Sequence, residues 1–373
     1  MNRLDQDRES NVGVALSHDY LLVMRGAERT FAAIAELYAR APIFTLLYDE
    51  QGTNGRFANR SISVSPLQRL GVDQRTFRRL LPLYPWAVER LKPTDVDVVL
   101  SSSSAFAHGI SVPEGATHVC YCHAPFRYAW YEEARALSEL PRALRPLARM
   151  QLRRMRRWDL GASRRVDAYI ANSELCRQRI ERYYGRDSVI VHPPVETQRF
   201  SLREPGEKLL VVSELVPHKR VGVALEAARR ARAPIRVVGS GPEHAALSDA
   251  FPEVEFLGRV DDELLAELYA RSRAVVVPSI EEFGITAVEA QAAGRPVIAA
   301  GAGGALETVS DEETGILAVA DDVGSFARAI ERVDTLGLKP ADAVRNAERF
   351  SVSTFQRRLR DAVQSARDAA SRL

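Results

Sequence analysis

Short runs of β-branched and aliphatic residues alternate along this chain with longer stretches in which apolar residues recur at helical spacing. In the second half, five such runs are predicted to be strands: residues 209–213, 235–239, 254–257, 274–278 and 296–300. Each is followed by an amphipathic stretch of the kind that covers one face of a sheet. This alternation is typical of parallel strands joined by helices.

The first half repeats the pattern with longer insertions. The predicted strands there are residues 12–16, 43–47, 96–101, 117–122 and 168–171. We therefore predict an α/β protein with two Rossmann-like domains, residues 1–191 and 208–350. Residues 192–207, which begin with His-Pro-Pro and contain Pro205 and Gly206, are the predicted hinge. Residues 351–373 are predicted to form a helix rich in arginine and alanine, which could cross back to the first domain.

The composition indicates the size of the domains and the cellular compartment. A chain of 373 residues, 46% hydrophobic and 27% charged, suits two α/β domains of ordinary size. Three cysteines, Cys120, Cys122 and Cys176, are too few for a disulfide framework and fit a reducing compartment. The N-terminus lacks the apolar run of a secretory signal, and no stretch has the length of a membrane-spanning helix. We expect a cytoplasmic protein whose membrane contact, if any, is peripheral.

The segment 278–290 runs from a buried strand through a loop into a helix, and it carries Glu281 and Glu289 eight positions apart. A helix that begins near Gly284 would direct its N–H groups and positive dipole end at a ligand such as a diphosphate. Eight residues of helix would rise about 12 Å. That span would let one carboxylate reach a sugar and the other a ribose. The alternative is an ordinary strand-loop-helix unit with surface glutamates.

This segment resembles the E-x7-E signature of family 4 glycosyltransferases, and Gly294-Arg295-Pro296-Val297-Ile298 follows it as that family's G-x-P-V-I segment does. The resemblance implies the GT-B fold, with two Rossmann-like domains facing across a cleft, and transfer with retention and without a metal. It implies that Glu281 contacts the donor sugar and Glu289 the ribose. The donor-binding segment would include Phe283, Gly284 and Ile285. Glu282 stands where many members carry glycine.

Further candidates for donor binding follow other strands. Lys219 and Arg220 end the segment 211–220, and the resemblance implies that Lys219 clamps the phosphates. Many members have an arginine where this chain has Glu214, and Arg220 could replace it. The alternative is that both cations are solvated first-turn residues. Gly241, in a Gly-Ser-Gly-Pro turn, could face the nucleotide or serve the turn alone. Residues 256–260 resemble the loop whose backbone reads the base in this family, and the resemblance implies that Val260 binds the donor.

The first domain contributes His123 and Gly26. His123 ends the strand 117–122 at the edge where ligands are expected, and family members carry there a histidine against the donor sugar. A satisfied core histidine is one alternative. A cysteine-histidine metal site is another, but four ligands with suitable spacing are lacking. Gly26 would allow close approach of the diphosphate, although Ala27 stands where the family has a second glycine.

A basic stretch interrupts the first domain. Between residues 135 and 157 the only acid is Glu139, and leucine and methionine interleave with eight arginines: Arg135, Arg142, Arg145, Arg149, Arg153, Arg154, Arg156 and Arg157. This composition favours an interfacial helix on anionic lipid. A solvated helix face is the plain alternative. Nucleic acid is a third, but no recognition motif accompanies the charge. Residues 77–91, apolar and basic, are expected to contribute to the membrane contact.

The resemblance covers nearly the whole chain and is greatest to bacterial mannosyltransferases of polysaccharide assembly. We expect transfer of a hexose, mannose from GDP-mannose first, to a lipid-linked saccharide at the inner face of the cell membrane. His123, Lys219 and Glu281 are the expected catalytic residues. A transferase that uses UDP-N-acetylhexosamine is the nearest alternative. An epimerase or phosphorylase on the same scaffold, or a non-catalytic nucleotide-sugar-binding protein, are the others.

Overall fold

The computed structural model describes residues 13–71, 73–74, 76–138 and 140–372. They form two compact units, one from Met1–Val191 and Gln356–Leu373 and the other from His192–Phe355. Each unit is built around one sheet, and all the strand pairs within both sheets are parallel. The prediction of two Rossmann-like α/β domains is confirmed.

The first sheet has seven strands in the order β3-β2-β1-β4-β5-β6-β7. They are β1 (Val14–His18), β2 (Ile43–Thr45), β3 (Ile62–Val64), β4 (Val98–Ser103), β5 (Thr117–Cys122), β6 (Ala168–Ala171) and β7 (Ser188–Ile190). The helices that accompany this sheet are α1 (Gly26–Leu37), α2 (Tyr84–Val88), α3 (Arg127–Trp130), α4 (Glu133–Ser138), α5 (Arg145–Ser163) and α6 (Glu174–Tyr184). Short 3-10 turns include Phe77–Leu83 and Ala107–Gly109.

The second sheet has six strands in the order β10-β9-β8-β11-β12-β13. They are β8 (Leu209–Val212), β9 (Ile235–Val238), β10 (Glu255–Phe256), β11 (Val275–Val277), β12 (Val297–Ala300) and β13 (Gly315–Ala318). The helices are α7 (Val221–Arg230), α8 (His244–Ala250), α9 (Asp262–Ala270), α10 (Ile285–Ala292), α11 (Ala305–Thr308), α12 (Val323–Arg332), α13 (Pro340–Glu348) and the long α14 (Val352–Ala370).

Both faces of the second sheet are buried. Leu209 and Val211 pack in one hydrophobic cluster, whereas Leu210, between them, packs in a second cluster with residues of α10. Since successive side chains of a strand point to opposite faces, the two clusters lie on the two sides of the sheet. A sheet covered by helices on both faces is what a continuous run of aliphatic residues predicts.

The ten strands predicted from the sequence are all present, with ends that differ by up to two residues. The first begins at Val14 rather than residue 12, which lies outside the described residues. Three strands were missed: β3, β7 and β13. β3 and β7 are three-residue strands at the two edges of the first sheet, and β13 is the edge of the second. β3 and β7 are largely unburied and so carry a weak hydrophobic pattern, whereas β13 is mostly buried but has only four residues.

In each sheet the strand order reverses once, between β1 and β4 in the first and between β8 and β11 in the second. The helices that follow these neighbouring strands leave in opposite directions, which opens a crevice at their carboxyl ends. Ligands of open parallel α/β sheets bind at such points. The sheet topology therefore marks the ends of β1 and β4, and of β8 and β11, as the places to look for function.

Residues 192–207, predicted as a hinge, are grouped with the second unit, where the Val195 N–H donates to the Phe350 carbonyl at 2.8 Å. Helix α14 starts in that unit, and from Gln356 onward it is grouped with the first. The Gln356 amide donates to the Ala33 carbonyl of α1 at 3.1 Å. None of the helices in the described ranges combines the length and the apolar character needed to cross a bilayer.

Candidate functional site

The loop between β11 and α10 carries the first glutamate of the sequence motif. Helix α10 begins at Ile285, and its N-cap Gly284 has φ 89°, a left-handed conformation that glycine adopts without strain. Glu281 therefore lies four residues ahead of the helix, and only Glu289 lies within it. The predicted span of eight helical residues between the two carboxylates was wrong, although the predicted start of the helix is confirmed.

Lys219 and Glu281 form an ion pair where β8 and β11 end. The Lys219 Nζ lies 2.7 Å from both carboxylate oxygens of Glu281, and the Ser279 hydroxyl also donates to Oε1. Both side chains are accessible but not free in solvent, with 24% and 22% exposed. Lys219 ends a 3-10 turn, Pro217–Lys219, so it stands before α7 and not in its first turn. Two residues 62 positions apart are thus brought together at the reversal point of the sheet.

Arg220 is turned to another partner. It has φ 53° and forms the N-cap of α7. Its Nε lies 2.9 Å from Asp321 Oδ1, and both side chains are more than half exposed. An exposed pair of this kind contributes at most about 1 kcal/mol. Arg220 is therefore paired with Asp321 in this structure and is not assembled with Lys219 on Glu281.

Glu289 is held from two sides in the second unit. The buried Tyr269 hydroxyl of α9 donates to Oε2 at 2.8 Å, and the Arg199 Nη2 lies 3.4 Å from Oε1. Arg199 also lies 3.0 Å from Asp262. Burial, together with the Glu289 carboxylate, raises the pKa of Tyr269 well above its ordinary value, so its O–H keeps the proton. Sequence reasoning missed Tyr269 and Arg199, which look like ordinary core and surface residues.

Phe283 belongs to the core of the unit. Its ring is 3% exposed, stacks on His192 at 5.5 Å and meets Phe350 edge-on at 5.3 Å. The predicted donor contact can therefore come only from the backbone at position 283. Ile285 and Val260 are partly buried against the same cluster.

A second loop, residues 301–304, packs against the loop that carries Glu281. The Gly304 N–H donates to the Glu281 carbonyl at 2.8 Å. A Cβ at 304 would lie 2.2 Å from the Phe283 carbonyl oxygen, and one at 303 would lie 2.4 Å from that of Glu281. Neither position has room for a side chain. The Gly-Ala-Gly-Gly run at 301–304 was the available signal, and sequence reasoning did not use it.

Gly241 has a structural reason to be glycine. A Cβ there would lie 2.3 Å from the Leu215 carbonyl oxygen, and the neighbouring Gly239 has φ 136°. Close packing and backbone conformation therefore explain why both positions are glycine, without a bound ligand. This agrees with the alternative that Gly241 serves the turn alone. Gly241 still lies beside the segment that leads from β8 to Lys219.

In the first unit, three polar side chains meet at the carboxyl ends of β1, β4 and β5. Ser102 Oγ lies 3.0 Å from His18 Nδ1 and 2.9 Å from His123 Nε2. Burial lowers the pKa of His18 to about 3, with a contribution from His123, and lowers the pKa of His123 to about 4. Both imidazoles are neutral at pH 7. His123 is partly exposed whereas Ser102 and His18 are buried, so His123 is the member available to a ligand.

The loops around this cluster are anchored by Asp19. Its carboxylate accepts the backbone N–H groups of Ser104, Phe106 and Ala107 at 2.6 to 2.8 Å. Gly26 is the first residue of α1, and the Thr30 hydroxyl donates to its carbonyl at 3.0 Å. The predicted glycine thus stands at a helix start that follows β1.

The three cysteines lie in the core of the first unit. Cys120, Cys122 and Cys176 are buried thiols, and Cys176 Sγ lies 3.2 Å from the Cys122 carbonyl. Within the described ranges, no group of three or more His, Cys, Asp or Glu side chains is arranged to hold a metal ion.

The basic stretch forms α4, a 3-10 turn and α5. Glu133, just ahead of the stretch in the sequence, pairs with two of its arginines, since its carboxylate lies 2.9 Å from Arg156 and 3.6 Å from Arg149. Glu139 lies outside the described residues. The outer side of α5 and the turn before it expose Leu144, Leu147 and Met150, at 51%, 61% and 45%. Three arginines further along α5 are also exposed: Arg153, Arg154 and Arg157.

Comparison with known families agrees with this architecture. The model described as "Glycosyl transferases group 1" matches residues 194–350, and that described as "Glycosyltransferase Family 4" matches residues 24–199. Together the two models match residues 24–350, so each Rossmann-like unit is similar to a glycosyltransferase domain. The chain is 32% identical over 232 residues to D-inositol 3-phosphate glycosyltransferase 2 of Catenulispora acidiphila, which is 50% of this chain and 53% of that protein. The chain thus spans about half the length of the curated relatives that it matches.

Solved structures share the fold over nearly the whole chain. Anabaena HepE in complex with UDP has a TM-score of 0.70 and 18% identity, covering 95% of this chain and 100% of that one. Sucrose-phosphate synthase from Thermosynechococcus elongatus has a TM-score of 0.69 and 18% identity, covering 96% and 100%. At this identity the likeness establishes the GT-B fold of the two units and leaves substrates open.

Proposed function

We propose that this protein transfers a hexose from a nucleoside diphosphate sugar to a hydroxyl group of an acceptor, with retention of configuration. The observation that carries the proposal is the Lys219–Glu281 pair, with Nζ 2.7 Å from both carboxylate oxygens at the reversal point of the second sheet. A cation for phosphate and a carboxylate for sugar hydroxyls stand together there, beside the start of α10.

In the proposed reaction Lys219 leaves Glu281 and forms an ion pair with the diphosphate of the donor. The Glu281 carboxylate then accepts hydrogen bonds from the sugar. The bond between the anomeric carbon and the phosphate oxygen breaks, and its electron pair leaves with the nucleoside diphosphate. Lys219 and the N–H groups of α10 stabilise that negative charge. The acceptor oxygen forms the new bond on the same face, and its proton passes to the departing phosphate. Glu289 accepts a ribose hydroxyl, and the family resemblance implies that His123 contacts the donor sugar.

Two donors deserve the first tests. The resemblance to bacterial mannosyltransferases supports GDP-mannose. A uridine sugar is second, because HepE has been crystallised with UDP-glucose, at a TM-score of 0.68 to this chain and 19% identity. The acceptor we propose is a lipid-linked saccharide. The name of the Catenulispora acidiphila relative makes inositol 3-phosphate the acceptor to include as a comparison.

The test is transfer of radiolabelled sugar from each donor to a lipid extract or to inositol 3-phosphate, with Glu281→Gln beside the native protein. We expect loss of transfer by at least a hundredfold in Glu281→Gln, since the amide loses the charge that binds Lys219 and the sugar. The matched control is Glu313→Gln, on an exposed loop of the same unit, which should keep transfer within twofold. An active Glu281→Gln variant would contradict the assignment.

Product analysis separates the rival activities. A free epimerised sugar nucleotide would indicate an epimerase, and a sugar phosphate formed with inorganic phosphate would indicate a phosphorylase. Donor binding without turnover, in the presence of both acceptor classes, would indicate a non-catalytic binding protein.

We propose that the acceptor is reached at an anionic membrane surface through the exposed face of α5. Leu147 and Met150 would enter the lipid boundary while Arg153, Arg154 and Arg157 meet the headgroups. The segment Phe77–Leu83 and α2 packs in the same hydrophobic cluster as α5, and it exposes Trp86 and Leu83. Two neighbouring elements of the first unit thus present apolar side chains beside arginines.

Cosedimentation with vesicles tests this contact. Binding is expected to vesicles that contain phosphatidylglycerol and not to pure phosphatidylcholine, and to fall in high salt. Burial of each apolar side chain stabilises by about 1.5–3 kcal/mol, so Leu147→Ser with Met150→Ser should weaken binding by at least about tenfold. Val189→Ser, an exposed apolar residue of β7, is the control. Equal binding to both vesicle types would refute an anionic docking surface.

A further inference from the structure

The histidine that faces the ligand edge of the first unit is joined to a buried histidine through one hydroxyl group. Ser102 Oγ lies 2.9 Å from His123 Nε2 and 3.0 Å from His18 Nδ1. The strand register places these groups, because His18 pairs with Ser102 between β1 and β4 and the His123 N–H donates to the Ser103 carbonyl. Sequence reasoning proposed His123 alone.

The chemistry of the hydroxyl restricts the two rings. Ser102 has one proton to donate, so it can donate to one ring nitrogen only and must accept an N–H from the other. Since both imidazoles are neutral at pH 7, two arrangements satisfy both hydrogen bonds. Either both rings carry their proton on Nδ1, or both carry it on Nε2. The tautomer of His123 is thus tied to that of His18.

Packing holds the network in place. The His18 ring stacks on Phe31 of α1 with centroids 4.7 Å apart, and Ser102 and His18 are buried. The Tyr121 ring meets His123 edge-on at 5.2 Å. We call the arrangement His18–Ser102–His123 the relay. Neither of its two rings can rotate without breaking a buried contact.

We propose that Ser102 and His18 are positioning residues that fix the tautomer and orientation of His123, so that its Nδ1 presents one defined hydrogen-bonding role to the bound sugar. If both rings are protonated on Nδ1, this atom of His123 donates to a sugar hydroxyl. If both rings are protonated on Nε2 instead, the same atom of His123 accepts a hydrogen bond from the sugar. The role of His123 in the reaction rests on the proposed function, whereas the coupling of the two rings does not.

Nitrogen-15 NMR of histidine-labelled protein tests the coupling without any substrate. The signals of the two rings are assigned from the His18→Asn and His123→Asn variants. We expect both rings in the same tautomer in the native protein, and a mixture of tautomers at His123 in Ser102→Ala. Different tautomers in the native protein, or an unchanged His123 signal in Ser102→Ala, would overturn the proposal.

Kinetics tests the consequence for turnover. Ser102→Ala should lower kcat at least tenfold with donor KM within twofold, and Ser102→Thr, which keeps the hydroxyl, should recover most of the loss. The matched control is Ser101→Ala. Ser101 occupies the same strand and lies 2.9 Å from the Nε2 of buried His118, so its loss removes an equivalent bond away from His123.

If Ser101→Ala and Ser102→Ala lower kcat equally, the serine has only a structural role and the proposal is wrong. If no donor is turned over by the native protein, the proposed function fails, and the NMR result still decides whether the relay exists.

Discussion

Substitution of Gly304 by alanine tests the support of the Glu281 loop. Gly304 has φ −64° and ψ −20°, which alanine adopts readily, so the only new element is the methyl group. That methyl would lie 2.2 Å from the Phe283 carbonyl oxygen and 2.3 Å from its Cα. Both are backbone atoms, and ordinary contacts of this kind exceed 3 Å, so the loop must move by about 1 Å to accept it.

The expected magnitude has two parts. Overpacking of this kind costs about 1–3 kcal/mol, and the stretched bond from Gly304 N–H to the Glu281 carbonyl adds about 0.5–1.5 kcal/mol. A melting temperature lower by several degrees is the expected result. Because a displacement of about 1 Å at a catalytic group can cost about a hundredfold, transfer efficiency should fall by that order.

The assay compares kcat/KM and melting temperature of Gly304→Ala with those of Gly161→Ala. Gly161 lies in α5 with nothing within 4 Å of the added methyl, so alanine there should be neutral or slightly stabilising. A Gly304→Ala protein with native kcat/KM would refute the idea that this loop fixes Glu281.

Two further predictions concern buried polar groups. Tyr269→Phe removes a donor to the carboxylate of Glu289, and hydrogen bonds to charged groups are worth about 1.5–3 kcal/mol, so calorimetry should show nucleoside diphosphate affinity about tenfold weaker. Tyr121→Phe, which loses a bond to the backbone carbonyl of Val191 and none to Glu289, should leave this affinity unchanged, and equal affinities in both variants would contradict the role of Tyr269. Burial lowers the pKa of His118 to about 3 from 6.5, so the unfolded chain takes up a proton first as pH falls below 6.5 and stability is lost progressively toward pH 3. The free energy of unfolding, measured with urea, should therefore fall between pH 6.5 and pH 5 by about 2 kcal/mol less in His118→Gln than in the native protein. An identical fall in both proteins would show that the His118 ring is not buried in its neutral form.

The sequence predicted all nine strands that lie inside the two described sheets, and one edge strand, β10. The run 117–122 was located to the residue because this strand, flanked on both sides, is buried throughout, and its apolar residues end where the pattern changes. β3 and β7 escaped because edge strands of three residues bury little and include serine. A local pattern shows what a segment buries but not which strand lies beside it.

The same limit applies to the site. Lys219 and Glu281 were each predicted from a local motif, but their pairing depends on β8 and β11 being neighbours, which no local pattern contains. Ser102 was hidden in a run of four serines, and only the register of β4 against β1 shows which one meets His18. Phe283 was predicted from the same local motif as Glu281, but that motif does not show that its ring fills the core and leaves only the backbone for a donor contact.

The measurement that tests the account most directly is the melting temperature of the protein with a panel of nucleoside diphosphates and their sugars. A ligand at a hundred times its Kd stabilises the folded state by about 2.7 kcal/mol. We predict a clear rise with one base, GDP before UDP, and its loss in Lys219→Met but not in Gly161→Ala. No rise with any nucleotide, or an equal rise in Lys219→Met, would contradict a donor site at the Lys219–Glu281 pair.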